Sequence, residues 1–329
     1  MLKVKNRLLL VLALLLGAVF WVGHASAATT AAPLGITVSP AFQSVIIPDG
    51  AEQVPVTFTI TNNKSVSQNL SLSVADFNSL NETGGLFFVG ANPTQLQQKY
   101  GLAKWVSLPE NNLTLSPGKT AKVQAQILNL PDLSGGGHYG ALMVAVNTGQ
   151  VGGKNYVGFH PIASSLLFVT KSTGAIYNLN LSKVSYSKNV FSLPNSVTLR
   201  FQNLGNTHVT PRGVISLLDA SGRLVSKGIV NQNSGIILPG KARDYSVPLN
   251  KVANSLAVGT YTMSIDYRYD GYSGFRNYQS SFFHIPVYLL ALLTAVLIGI
   301  MAFAIMRLKN KKPKKPGDTP AIRISLFHK

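Results

Sequence analysis

The 329-residue chain has no cysteine, and only 12% of its residues are charged, with 11 acidic against 29 basic side chains. The lack of cysteine excludes disulfides and cysteine-ligated zinc sites. The few carboxylates are scattered, which disfavours a paired acid–base site. Between residues 34 and 285 no stretch of useful length repeats its apolar residues every 3.6 positions, so long helices are not expected there. Stability must therefore come from apolar surface buried between strands.

Both ends of the chain carry membrane signals. Three basic residues precede the apolar run 8–22, and small residues at 25–27 suit a signal peptidase, which predicts cleavage after Ala27. Residues 286–306 contain no charge and can cross a hydrocarbon core of about 30 Å. The basic segment 307–329 is then expected to stay in the cytoplasm. We therefore predict a single-pass protein of the cell membrane whose residues 28–285 are extracellular.

The net charge of +18 follows largely from this topology. Residues 28–285 contain 18 basic and 10 acidic side chains, a difference of +8, and the rest of the excess lies at the two ends. A nucleic-acid partner is accordingly not expected. A mildly basic exported region suits a position near anionic wall polymers or lipid head groups. Export without cysteine favours a bacterial envelope.

Apolar residues alternate with polar ones along most of the exported region. Val56, Phe58 and Ile60 are separated by threonines, and the positions from Tyr261 to Tyr269 alternate in the same way. A period of two predicts strands with one buried face. The predicted fold class is all-β, with a single transmembrane helix at the carboxyl end.

The exported region contains two copies of one unit. Pro-Gly-Lys occurs at 117–119 and at 239–241, an offset of 122, whereas Phe58–Asn62 aligns with Leu199–Asn203 at an offset of 141. The difference, 141 minus 122, assigns about 19 extra residues to the first copy. Short strands with closely spaced turn signals predict tandem immunoglobulin-like sandwiches. We assign residues 28–173 to the first domain, with an insert at about 77–106, and residues 174–285 to the second.

No catalytic motif stands out. The four histidines of the exported region form no metal-binding pair, and no nucleophile elbow or nucleotide-binding loop is present. The string Gly135–His138 has the glycines of an oxyanion hole, but a flexible loop before a strand is the simpler interpretation. We therefore predict a protein that is not an enzyme and has no metal or cofactor.

Two groups of aromatic and basic residues are candidates for binding. The insert brings aromatics beside lysines, a combination that can hold sugar rings and anionic groups. The second group lies in a Tyr/Arg/Gly loop whose composition resembles an antibody paratope, although its proximity to the membrane also suits an interfacial anchor. The predicted ligand-binding residues are Phe87, Phe88, Lys99, Tyr100, Lys104 and Trp105, and the predicted partner-binding residues are Tyr269, Tyr272, Phe275, Arg276 and Tyr278. For Trp105 and Phe87, packing in the sandwich core is the alternative.

The layout resembles the WxL-interacting protein family of Gram-positive cell surfaces. The similar segments read VTFTITNN at 56–63, LSPGK at 115–119 and GGHYGA at 136–141. The resemblance implies peptidoglycan binding by the first domain and binding of host or partner proteins by the second, alongside surface proteins with the WxL signature. This chain differs in having a shorter second domain and a tail that ends in RISLF at 323–327.

The sequence thus predicts a non-catalytic, membrane-anchored protein of the cell envelope that binds peptidoglycan, another surface protein, or both. The alternative is an exported chaperone-like or assembly factor that adds a client strand to an exposed sandwich edge. A hydrolase with an unrecognised site is the third candidate.

Overall fold

The computed structural model describes residues 35–89, 99–147 and 162–309. The predicted signal peptide and nearly all of the predicted tail lie outside these residues. Up to residue 171 the strands are β1 (Ile36–Ser39), β2 (Phe42–Ile47), β3 (Gln53–Asn62), β4 (Gln68–Ser79), β5 (Leu86–Phe88), β6 (Val106–Ser107), β7 (Asn112–Leu115), β8 (Thr120–Leu128), β9 (Gly136–Val146) and β10 (Ile162–Lys171). They form a sheet of order β1-β3-β8-β6 and a second sheet of order β2-β10-β9-β4-β5, with β7 also paired to β4.

A second pair of sheets follows the short segment 172–178. Its strands are β11 (Leu179–Tyr186), β12 (Ser196–Asn203), β13 (Arg212–Leu218), β14 (Leu224–Val230), β15 (Ala242–Pro248), β16 (Asn250–Lys251), β17 (Gly259–Arg268) and β18 (Arg276–His284). The sheet orders are β11-β12-β15 and β16-β14-β13-β17-β18. These paired sheets confirm the predicted all-β class of immunoglobulin-like sandwiches. We call the two units domain 1 and domain 2.

The predicted alternation of apolar and polar residues places the apolar side chains of the strands in two buried cores. Val56, Phe58 and Ile60 are buried in β3, and Tyr261, Met263 and Ile265 are buried in β17, while their polar neighbours are more exposed. Each set belongs to its own cluster of buried apolar residues, one between the sheets of each domain. Burial of a large apolar side chain contributes about 1.5–3 kcal/mol, so these clusters supply the stability that disulfides cannot.

One buried asparagine in each domain makes the same contacts. The Asn62 amide donates to the carbonyl of Leu115 at 2.9 Å, and its carbonyl accepts from the backbone N–H of Lys64. At an offset of 141, Asn203 donates to Ile237 at 2.9 Å and accepts from the N–H of Gly205. The carbonyl partners are themselves 122 residues apart. Both offsets found in the sequence therefore correspond to one recurring arrangement of strand end and Pro-Gly turn.

The Gly135–His138 segment is not the predicted flexible loop, because β9 already begins at Gly136. His138 is almost fully buried, and its ring nitrogens lie 2.9 Å from the Gly101 carbonyl oxygen and 2.8 Å from that of Ser134. Trp105 packs against the same imidazole, with ring centroids 5.7 Å apart. These contacts give the histidine a packing role at the start of the strand.

One helix, α1 (Val287–Lys309), follows β18. Its residues 287–308 are long and apolar enough to cross a membrane, and none of that stretch is buried within the protein. The helix begins one residue later than the predicted span and continues into the first basic residues after it. Pro286 immediately precedes the helix, a position where its missing N–H removes no helical hydrogen bond.

Candidate binding site at the domain junction

The predicted ligand-binding residues do not form a single surface. Trp105 is 9% exposed and packs in the core of domain 1, and its indole N–H donates to Asp132 at 3.0 Å. Lys104 forms an ion pair with the same carboxylate at 2.6 Å. Hydrogen bonds from Lys104 and then Trp105 lower the pKa of Asp132 below its usual value. The alternative of core packing therefore describes Trp105 correctly.

The other four residues of that set are divided between two places. Lys99 is exposed, with its ammonium 5.4 Å from the centre of the Tyr100 ring. Phe87 and the more exposed Phe88 lie on β5, and Phe88 contacts the buried Phe77 edge-on at 6.5 Å. The binding of wall glycan by this group stays a prediction. Its exposed part consists of Lys99, Lys104 and Phe88, without the tryptophan.

Three of the five predicted partner-binding residues meet at the turn between β17 and β18. Tyr269 and Tyr272 stack with centroids 5.3 Å apart, and the Arg276 guanidinium lies 5.7 and 5.3 Å from their ring centres. Phe275 instead contacts Arg268, at 5.6 Å. The nine residues of β18 separate this turn from α1 by about 30 Å. That separation argues against the interfacial anchor considered from the sequence.

The first domain's insert holds the two domains together. The loop between β4 and β5 carries Glu82, whose carboxylate accepts hydrogen bonds from both terminal nitrogens of Arg200 in domain 2. The Glu82 carbonyl also accepts from the backbone N–H of Asp244 at 3.0 Å. The Arg200 hydrogen bond lowers the pKa of Glu82. At least part of the extra length of the first copy therefore forms the junction.

A third apolar cluster lies between the domains. It joins the outer face of the β2-β10-β9-β4-β5 sheet to the loop before β15, and comprises Phe77, Tyr139, Ala141, Phe168 and Leu238. His208 of domain 2 completes it, with its ring 5.7 Å from Tyr139 and 5.5 Å from Phe168. Burial lowers the pKa of His208 from 6.5 to about 4. Burial also raises the pKa of the Tyr139 hydroxyl well above its usual value.

Next to this cluster the junction opens into an apolar cleft of about 310 Å³. Domain 1 contributes Ala41, Phe42, Ser79, Gly84, Leu86, Leu166 and Phe168, and domain 2 contributes Asn233, Ser234, Ile236, Leu238 and Arg243. The Arg243 guanidinium donates to the Ile236 carbonyl at 3.1 Å and lies over the Tyr245 ring. Gly84 is required here, because its φ of +95° suits glycine and a Cβ would collide with that guanidinium.

The cleft borders an open strand edge. β2 is the outermost strand of its sheet and runs parallel to β10, with Phe42 opposite Leu166 and Ile47 opposite Lys171. The carbonyls of Ala41 and Ile47 accept from β10 and the residue after it, at 2.9 and 3.0 Å. Since alternate residues direct their backbone groups to opposite sides of a strand, those of Phe42, Ser44 and Ile46 face away from β10.

The side chains along this edge are also exposed. Phe42 is 59% and Ile46 64% exposed, although both are large and apolar. Proteins usually protect an edge strand with charge, proline or a covering segment, and β2 contains neither a charge nor a proline. We call Phe42–Ile47 and the adjoining cleft the junction site. Among the described residues there is no cluster of acidic or histidine side chains fit to hold a metal ion.

Sequence reasoning did not identify the junction site. Its only local signal was the apolar run 45–47 between Pro40 and Pro48, which reads as one more short strand. The cleft residues come from segments far apart in the chain, so no spacing could reveal them. The insert was singled out by its length, but its contact with domain 2 could not be read from that length.

No protein-family model matches the chain, and no curated protein matches it. Similar solved structures include a chain from the chaperone–tip adhesin complex of CFA/I fimbriae, at 11% identity over 76% of this chain and 99% of that one, with a TM-score of 0.42. The class 5 fimbriae chaperone CfaA is similar at 11% identity over 76% and 99%, with a TM-score of 0.39. The E. coli chaperone DraB is similar at 11% identity over 75% and 98%, with a TM-score of 0.35. Similarity at this level assigns neither a partner nor a function to the chain.

Proposed function

We propose that this chain is a non-catalytic, membrane-anchored protein of the cell envelope that binds an extended segment of another protein at the junction site. The observation that carries the proposal is the open edge of β2 beside an apolar cleft. Within residues 35–89, 99–147 and 162–309, no backbone group pairs with the outward N–H and C=O of Phe42, Ser44 and Ile46, and strand addition uses such groups for affinity. Neighbouring pockets for alternate side chains then provide specificity.

The chemistry of the partner segment follows from the cleft. A strand added beside β2 places every second side chain on the outer face of the sheet, where Phe42, Leu166 and Phe168 lie. That row suits apolar side chains at alternate positions. Arg243 and the two polar residues at 233–234 lie across the cleft and suit a polar or acidic group at the end of the segment.

The location forms part of the proposal. α1 anchors the chain in the cell membrane, and domains 1 and 2 face outward after removal of the signal peptide. The predicted resemblance to the WxL-interacting family makes another surface protein a suitable partner. Peptidoglycan binding through the insert has less support, because Trp105 is buried and Lys104 is paired with Asp132.

Site-specific photo-crosslinking in intact cells tests the proposal. A crosslinker at Ile46, on the same strand and 64% exposed, should capture a defined extended segment of one surface protein, whereas the same group at the exposed Val66 should not. Ser44→Pro removes an outward N–H without removing a bond to β10, and should abolish the capture; Ser44→Ala should preserve it. Equal capture at both positions, or capture that survives Ser44→Pro, would contradict strand addition.

Isolated cell-wall sacculi provide the parallel test of wall binding. The measured quantity is the fraction of the full chain that sacculi retain. If the double variant Lys99→Ala, Lys104→Ala lowers this fraction and Ser44→Pro does not, the binding surface is the insert and not the junction site.

A further inference from the structure

We infer that the free edge of β18 is a second docking site, which takes an extended protein segment carrying an acidic side chain. β18 is the outermost strand of its sheet, and among the described residues β17 is the one strand paired with it; just beyond its end, the N–H of Ile285 donates to the Val190 carbonyl at 2.8 Å. It is nine residues long, and between Asn277 and Phe283 it has no charge and no proline. Such an edge lacks the usual protection against pairing with another chain.

The side chains at the hairpin end of β18 favour an acidic partner. Arg276 lies opposite Tyr267 in the ladder, so its side chain is on the same face as the core. Its guanidinium is held against Tyr269 and Tyr272, at 5.7 and 5.3 Å from their ring centres. Within the part of the chain that the structure describes, Arg276 forms no ion pair with a carboxylate.

The nearby carboxylates are already engaged. Asp270 accepts from the Arg212 guanidinium at 2.8 Å and from the Thr210 N–H at 2.9 Å. Asp266 accepts from Asn277 at 2.6 Å. The charge of Arg276 is therefore left for an external group, and a guanidinium held on aromatic rings suits the two oxygens of a carboxylate.

The position of Arg276 defines the pattern that a partner should carry. Tyr278 lies opposite Ile265 and shares the face of Arg276, two residues further along the strand. An antiparallel partner meets the start of β18 with its carboxyl-terminal end. The matching segment therefore has an apolar residue two positions before an acidic one.

The turn that presents Arg276 is fixed. The N–H of Tyr272 donates to the Tyr269 carbonyl at 3.2 Å, and Gly271 has a φ of +78°. A Cβ at Gly271 would collide with the Tyr177 ring, which shows how closely the turn packs on the segment that precedes β11. The guanidinium is thus positioned before any ligand arrives, which reduces the entropy lost on binding.

The test uses the full chain in detergent micelles and a capped, eight-residue peptide. The peptide alternates threonine and valine and ends in phenylalanine, threonine and glutamate. Fluorescence anisotropy should detect binding, and hydrogen exchange should slow at residues 277–283. Arg276→Gln should weaken binding about fivefold for this peptide, but not for the version with glutamine in place of glutamate. Arg276→Lys should retain part of the affinity.

Arg268→Gln is the matched control, since Arg268 lies on the same hairpin but contacts Phe275. It makes the same change in net charge and should alter affinity less than twofold. The proposal is wrong if both arginine variants weaken binding equally, which would indicate a diffuse attraction to anions such as wall polymer. It is also wrong if a peptide with glutamate at its amino end binds equally well. Slowed exchange at β2 alone would locate the peptide at the junction site, so the two proposals fail separately.

Discussion

Acidification should weaken the domain junction through His208. The imidazole is mostly buried between the domains, against the rings of Tyr139 and Phe168. The groups that face it are the Tyr139 hydroxyl, 3.5 Å from its Nδ1, and the charge of Asp270, which raises its pKa slightly. Burial is the stronger influence and lowers the pKa of His208 to about 4. The folded protein therefore holds this side chain neutral.

The loss of stability on acidification follows from the shift in the pKa of His208. Below its unfolded pKa of 6.5, the unfolded chain binds the proton more readily than the folded one, so stability is lost as the pH falls from 6.5 towards 4. One pKa unit corresponds to about 1.4 kcal/mol, which gives a total loss of about 3 kcal/mol below pH 4. At pH 5 the loss is about 2 kcal/mol. Well above pH 6.5, His208 is neutral in both the folded and the unfolded chain, and none of this stability is lost.

Urea unfolding of the full chain in detergent, followed by circular dichroism, measures this effect. Between pH 7.5 and 5 the parent protein should lose about 2 kcal/mol more than His208→Gln, in which position 208 cannot titrate. Hydrogen exchange at residues 232–241 should accelerate over the same range. His284→Gln is the control for location: burial lowers the pKa of His284 too, but it packs against Tyr261 at the other end of domain 2, so exchange at residues 232–241 should accelerate in this variant as in the parent. Identical pH dependence in the parent and in His208→Gln would refute the reasoning.

Three further predictions concern stability, each checked by urea unfolding at neutral pH. Asn203→Ala should cost about 3 kcal/mol, because it leaves two buried carbonyls and one N–H without a partner; a loss below 1 kcal/mol would contradict this. Leu238→Ala should cost about 2–4 kcal/mol by opening a cavity at the junction, and a variant as stable as the parent would show that the cluster does not join the domains. Gly271→Ala should cost more than 2 kcal/mol, because its Cβ meets Tyr177, whereas Gly222→Ala, at nearly the same φ but in open space, should cost about 1 kcal/mol. Equal losses in the two glycine variants would contradict the packing of the turn.

Local features of the fold could be predicted from the sequence because their signals are local. Alternation identified β3 and β17. The recurring Pro-Gly turns gave the offset of 122 and the similar strand ends gave the offset of 141, and the contacts of Asn62 and Asn203 agree with both. A strand pattern does not specify which strand remains at a sheet edge, however. That depends on pairing between distant segments, such as the parallel contact of β2 with β10.

Residue type alone also misjudged part of the candidate site. Trp105 and Lys104 have the composition of a sugar-binding surface, but Asp132, 27 residues beyond Trp105, engages both of them. Conversely, Phe42 lies just before the apolar run 45–47, which reads as one more short strand, and no local pattern indicates that Phe42 is largely exposed. In both cases the deciding contact comes from a part of the chain that a local pattern does not include.

The junction connects the two proposed docking edges. β2 belongs to domain 1 and β18 to domain 2, and the Glu82–Arg200 pair with the apolar cluster holds the domains in one arrangement. A partner with two extended segments could then bind both edges, and the second contact would benefit from a high effective concentration. Protonation of His208 should leave the β18 edge intact, but it should loosen the cleft beside β2, to which both domains contribute, and remove the fixed spacing of the two edges. Affinity for a two-segment partner should therefore fall at pH 5, whereas affinity for a single segment at β18 should change little.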